Sequence, residues 1–93
     1  MNTGRWVVVT DKLRGVYYGR TFATDEAKDV TLFDARIVFS YVADAGLGCL
    51  PTVGPGVGSK IGPVMPHISI MDRANIMECT EAAVAVWQRS SWE

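Results

Sequence analysis

The chain has 93 residues, 48% of them apolar and 20% charged, with a formal net charge of −1. That length holds one domain, residues 1–93, and so apolar a composition excludes a disordered chain. The near-neutral balance excludes a global positive field that would gather nucleic acid, and no run of like charge exceeds two residues.

Arg5 to Lys12, RWVVVTDK, is β-branched and aromatic and ends in charge, which predicts a strand. Leu13 to Gly15 make a turn, and Gly15 to Thr24 a second strand. Gly19 inside that pattern predicts a bulge or a sharp bend. Tyr17 and Tyr18 then point to opposite sides of the strand, one of them into the core. Asp25 to Asp29 form a polar hairpin loop. Val30 to Val42 make a long third strand whose apolar stretch at Ile37 to Phe39 predicts a bent element passing between two sheet faces. Ala43 to Leu50 has room for one helical turn, and from there glycine and proline dominate up to Pro66. A loop of that length in a small domain is usually functional or mobile. Ile68 and Ile70 alternate in a fourth strand, Asp72 to Asn75 turn tightly, and Ile76 to Cys79 make a fifth. Thr80 is placed to cap a closing amphipathic helix with Ala83, Val84, Val86 and Trp87 on its apolar face and Arg89 near its end.

The sum is a mainly β chain: a small five-stranded SH3-like or Sm-like barrel with a C-terminal α-helix, residues 80–89, and a flexible Gly/Pro-rich loop, residues 43–66. The first three strands form an antiparallel meander and the last two close it, which removes exposed edges. The apolar run near the N-terminus is too short for a signal peptide, and no window approaches a membrane span, so the expected location is the cytoplasm. Apolar surface in excess of what so short a chain can cover predicts self-association.

The stretch GPGVGSK, Gly54 to Lys60, resembles a phosphate loop only superficially. Ser59 precedes Lys60, and the prolines that follow do not open a helix, so the Walker arrangement fails. Glycine amides at Gly56 and Gly58, with Ser59 and the charge of Lys60, can instead form an anion-binding nest. Barrel closure would gather Arg36 and Arg73 near Lys60 on one rim, with Tyr41 as an aromatic face, a set able to hold a small anionic ligand. His67, Cys49 and Cys79 lack the orienting third group of a Cys–His pair, and no ligand spacing for a metal occurs. No catalytic residue, cofactor or metal is therefore expected, and the cysteines read as reduced thiols. Asp25, Glu26 and Asp29 read as ordinary turn formers. Trp87 anchors the helix or, with Trp92 in the tail, meets a neighbouring subunit.

The segments GVYYGRTF, VTLFDARIVFSYVADAGL and GSKIGPVMPHISIMDRANIMECTEAAV, with the late Trp92, resemble in their order a family of small phage and prophage proteins of unassigned function, over roughly Val7 to Trp92. That resemblance implies a phage or prophage origin and a compact β-rich fold, and with it the cytoplasm of an infected bacterial host. A looser similarity is to Sm-like barrels, through Gly19, Asp25, Leu32 and Ala35 and the closing pair ISIMDRANIM. Where an Sm-like loop offers Asn to a base this chain has Lys28 and Asp29, and where the closing turn has Arg-Gly it has Asp72, Arg73 and Ala74. The barrel is kept and the RNA set aside. The expected function is a non-enzymatic, self-associating binding module of phage origin, a counter-defence protein that sequesters a host nucleotide signal or blocks a host defence protein. The alternatives are an Sm-like RNA-binding ring, a virion structural or assembly protein and, last, a hydrolase.

Overall fold

Val7, Val8 and Val9 are consecutive and all fully buried. Successive side chains of a strand point to opposite faces, so both faces of this strand must be covered. The computed structural model, which describes residues 4–13, 15–40, 48–56 and 59–89, shows how. Strand β1 (Arg5–Thr10) lies between β2 (Val16–Thr21) and β6 (Asn75–Glu78), antiparallel to both. Strand β3 (Val30–Ser40) pairs with β2 along one edge. Its other edge takes β5 (Met65–Ile70) along its first half and β4 (Lys60–Ile61) along its second.

The expected antiparallel meander is present, but the sheet has six strands and is not closed into a barrel. The reason lies in residues 71–74. This turn hydrogen-bonds outward, from the Arg73 N–H to the Lys28 carbonyl and from the Ala74 N–H to the Thr10 carbonyl. It thereby delivers β5 to the β3 edge and β6 to the β1 edge, with no ladder between the two. The sixth strand, β4, falls in the stretch expected to be loop.

Two cores sit on the two faces. One face carries Val7, Val9, Val30, Leu32, Ala35 and Ile70. The other carries Val8, Val16, Tyr18 and Val38 beneath Leu50, Ile61, Ala83 and Trp87. Leu50 comes from α1 (Cys49–Thr52), and Ala83 and Trp87 from α2 (Glu81–Arg89). Thr80 caps α2 as its position suggests: its Oγ1 accepts from the Ala83 N–H at 3.1 Å. The same hydroxyl donates to the Thr52 carbonyl at 2.6 Å, tying α1 to α2. Trp87 stacks on Tyr18 with ring centroids 4.4 Å apart, and Tyr18 stacks on Trp6 at 5.1 Å. The Trp87 Nε1–H donates to the Leu50 carbonyl at 3.0 Å, so the buried indole leaves no polar atom unpaired.

The expected open Gly/Pro loop is packed down over its first part. Pro51, Gly54 and Pro55 are buried. Gly54 has φ +85°, and a Cβ there would meet the Val86 Cβ at 2.7 Å, so only glycine lets this segment lie against α2. Among the described residues no helix is long and apolar enough to cross a membrane.

Two predictions follow from this packing. Trp87→Ala should lower the unfolding free energy by about 3–5 kcal/mol, since it removes the central plate of the helix–sheet contact; urea denaturation at unchanged m-value measures it, and a change below about 1 kcal/mol would contradict the packing. The second concerns alkali. Burial pushes the Tyr18 hydroxyl above its ordinary value and the Cys79 thiol up to about 12 from an ordinary 9.0. Both groups stay neutral in the folded chain and ionise more readily in the unfolded one. Their contribution is therefore complete below about pH 9 and is lost as pH rises toward about 12. The thermal midpoint should hold steady through about pH 8 and fall from about pH 9 upward, and a flat profile would contradict that sign.

Candidate functional site

The helix-bearing face of the sheet is only partly covered, and a bulge at the boundary organises what remains. Between β2 and β3, Tyr18 pairs with Arg36 and Arg20 with Phe33. One residue of β2, Gly19, thus opposes two of β3, Asp34 and Ala35. Asp34 takes φ 51°, a left-handed backbone that aspartate tolerates better than most residues. A Cβ on Gly19 would meet the Leu32 Cβ at 2.9 Å and the Phe33 carbonyl at 3.1 Å, so the bulge has room only over glycine. The extra residue shifts the alternation of β3. Phe33 and Arg36, an odd number of positions apart, come to lie on the same face.

Arg36 is 7% exposed. Its Nε donates to the Gly62 carbonyl at 2.8 Å and its Nη1 to the Trp87 carbonyl at 2.9 Å. The guanidinium thus binds one of the carbonyls that the last turn of α2 leaves open, where the helix dipole favours a cation. None of the ion pairs among the described residues involves Arg36. Burial pulls its pKa down from the ordinary value, and it remains a cation. No described residue accepts from Nη2, yet no buried side-chain nitrogen or oxygen among the described residues lacks a partner. Nη2 is therefore not fully enclosed, and Arg36 lines a cavity of about 260 Å³ bounded also by Trp6, Tyr18, Asp34, Val64 and Gln88. Gln88 Nε2 donates to the Tyr18 hydroxyl at 3.1 Å. Asp34 Oδ2 is held by Arg20 Nε at 2.8 Å. The cavity is thus an aromatic-walled recess with a buried guanidinium as its principal donor and a single carboxylate, already paired, at its margin.

Beside the cavity runs a cross-strand row. Trp6 faces Arg20, Arg20 faces Phe33, and Phe33 faces His67, one residue from each of β1, β2, β3 and β5. The Arg20 Cζ stands 5.7 Å from the Phe33 ring centroid. Phe22 meets Phe33 edge-on at 5.9 Å and is 56% exposed. His67 lies tilted at 6.4 Å from Phe33.

The residues expected to form the site are not brought together. Lys60 pairs with Ser40 at the far end of β3. Arg73 sits beyond its near end, where its side chain donates to the Ala27 carbonyl at 2.6 Å and to that of Asp25. The 11-residue β3 lies between the two, because the sheet does not close. Arg73 clamps the polar hairpin loop instead. Ser59 donates its N–H to the Gly56 carbonyl at 3.2 Å, a local turn. Gly58, Tyr41 and Trp92 lie outside the described residues. Trp87, considered for a subunit contact, is fully buried in its own chain and so presents no surface. Of the expected set, Arg36 lines the cavity described above. The sequence does not bring Trp6, Asp34 and Gln88 to Arg36; the signal available is Gly19, an expected bulge site that faces the extra residue of β3.

A search of curated proteins and a search of solved structures both found no match. The family model described as a domain of unknown function, DUF6948, matches residues 4–87, which run from the start of β1 almost to the end of α2 and so take in every residue lining the Arg36 cavity except Gln88. The chain belongs to the DUF6948 family.

Proposed function

We propose that this chain is a non-enzymatic binding module that captures a small phosphate-bearing ligand at Arg36. The observation that carries the reading is a buried guanidinium with no carboxylate partner, opening onto a cavity. Taking a cation out of water costs several kcal/mol unless acceptors replace the lost hydration. Two backbone carbonyls replace part of it. An anion in the cavity would supply the rest, and a phosphate oxygen against a guanidinium makes the stronger, charge-assisted kind of hydrogen bond.

The size of the space supports a small group. Pockets for whole drug-sized ligands run from about 300 Å³ upward, and this one is about 260 Å³. Sequestration asks only for affinity and copy number, which fits a recess built from aromatic walls, one guanidinium and one amide. The motif order that resembles phage and prophage proteins supports placing such a module in a phage, with a phosphate-bearing host signal as the captured species.

Isothermal titration with ribose 5-phosphate tests the reading. The wild-type chain should bind it and return it intact on denaturation. Arg36→Gln should weaken binding by at least about tenfold, the scale of a lost charged hydrogen bond. Because Arg36 also holds α2, Asp34→Asn serves as the second variant. It suits the left-handed backbone, removes the carboxylate at the margin, and should tighten binding several-fold. Equal affinity across all three proteins, or recovery of free phosphate, would contradict a phosphate-capturing module.

A further inference from the structure

We infer that the ligand of the Arg36 cavity carries a planar aromatic ring, which stacks outside the cavity on the Phe22–Phe33–His67 cluster, so that the species recognised is a nucleoside phosphate rather than a sugar phosphate or a bare anion. The inference rests on the phosphate reading above and adds a second recognition surface to it.

Three features lead there. The first is position. Phe33 and Arg36 lie opposite Arg20 and Tyr18, two residues apart on β2, and so are separated by roughly 7 Å on one face. A ligand with a phosphate at Arg36 thus has Phe33 on the same face, two strand positions away. The bulge at Asp34 creates this adjacency; in a regular strand the two side chains would point to opposite faces.

The second is chemistry. Phe22 is more than half exposed, His67 is exposed and Phe33 partly so, which leaves three unsaturated rings at the surface within 6.4 Å of one another, centroid to centroid along the chain of contacts. Arg20 stands over Phe33 and is fixed there by Asp34. Nucleobases stack on aromatic side chains and on guanidinium planes, and every base has a face that can do so. The cluster is thus suited to a base of any identity, while the cavity takes the charged end.

The third is continuity. Trp6 lines the cavity and faces Arg20 in the row, and Arg20 is bonded to Asp34 at the cavity margin. Recess and row form one surface. The net charge of −1 and the pairing of Arg20 with Asp34 give no extended positive track for a polyanion. The occupant this charge distribution fits is a single nucleotide unit, not a nucleic-acid strand.

The test compares ligands that share the phosphate and differ in the ring. Adenosine 5′-monophosphate, uridine 5′-monophosphate and ribose 5-phosphate are titrated against the wild-type chain, Phe33→Ala and His67→Ala. Both nucleotides should bind at least about tenfold more tightly than ribose 5-phosphate, in line with the stacking worth of one base. Phe33→Ala should erase that margin, and His67→Ala, which removes an exposed ring, should reduce it. Equal affinity of nucleotides and ribose 5-phosphate for the wild-type chain would overturn the stacking inference and leave the phosphate reading standing. A margin that survives in both variants would overturn it too. Failure of all three ligands to bind would overturn both. Salt-sensitive binding of a short uridine oligonucleotide far above the mononucleotide would replace the single unit with a strand.

Discussion

The guanidinium of Arg36 joins three parts of the molecule that are remote in sequence. It rises from the middle of β3, bonds the Gly62 carbonyl just after β4, and bonds the Trp87 carbonyl near the end of α2. A buried cation must find acceptors, and open helix-end carbonyls must find donors. Each need is met by the other, and that reciprocity fixes where α2 ends on the sheet. The helix therefore covers Val8, Val16, Tyr18 and Val38 but stops short of the row through Arg20 and Phe33. The recess between is bounded on one side by Gln88 of α2 and on the other by Asp34 of the bulge.

The aromatic stack makes that arrangement stiff. Trp6, Tyr18 and Trp87 lie nearly parallel, with interplanar angles of 11° and 8°. Offset stacking contributes about 0.5–1.5 kcal/mol per pair beyond area burial. More relevant to function, two of the three stacked rings, Trp6 and Tyr18, line the cavity. A recess with rigid walls keeps its guanidinium aimed before any ligand arrives, which lowers the ordering cost of binding. The charged groups elsewhere serve the frame. Arg5 bridges Asp25 and Glu78, Lys12 holds Asp72, and Arg73 holds the loop that leads into β3. They are mostly exposed pairs of modest worth. They locate the turns that send β5 and β6 to opposite edges.

Much of the fold can be read from the residues, and the site much less. The strands at Arg5, Val16, Val30 and Asn75 and the Thr80 cap all follow from local rules, because each depends on neighbours within a few positions, whereas Gly19 marks the irregular pairing but the extra residue sits opposite it in β3. The run Val7 to Val9 also carries a signal: three buried residues in succession require cover on both faces, and so two cores. β4 was hidden because two residues amid prolines and glycines carry no periodicity; pairing with Val38 and Ser40 makes them a strand. The assumption of a closed barrel moved Lys60 and Arg73 together, whereas the turn at 71–74 bonds outward and leaves them at opposite ends of β3. The burial of Gly54 and Pro55 is a tertiary effect, set by the contact with Val86.

Capture of an anion by this chain depends on Arg36 as its seat. The direct measurement is the nitrogen-15 and proton resonance of the arginine Nε–H groups, recorded as phosphate is added to the isotopically labelled chain at constant ionic strength. The Arg36 Nε–H, bonded to the Gly62 carbonyl, should be slow to exchange with solvent and should shift in a saturable manner, followed by smaller shifts at Arg20. A saturable shift at Arg73 with Arg36 unmoved would contradict the account and return the site to the turn end of the sheet.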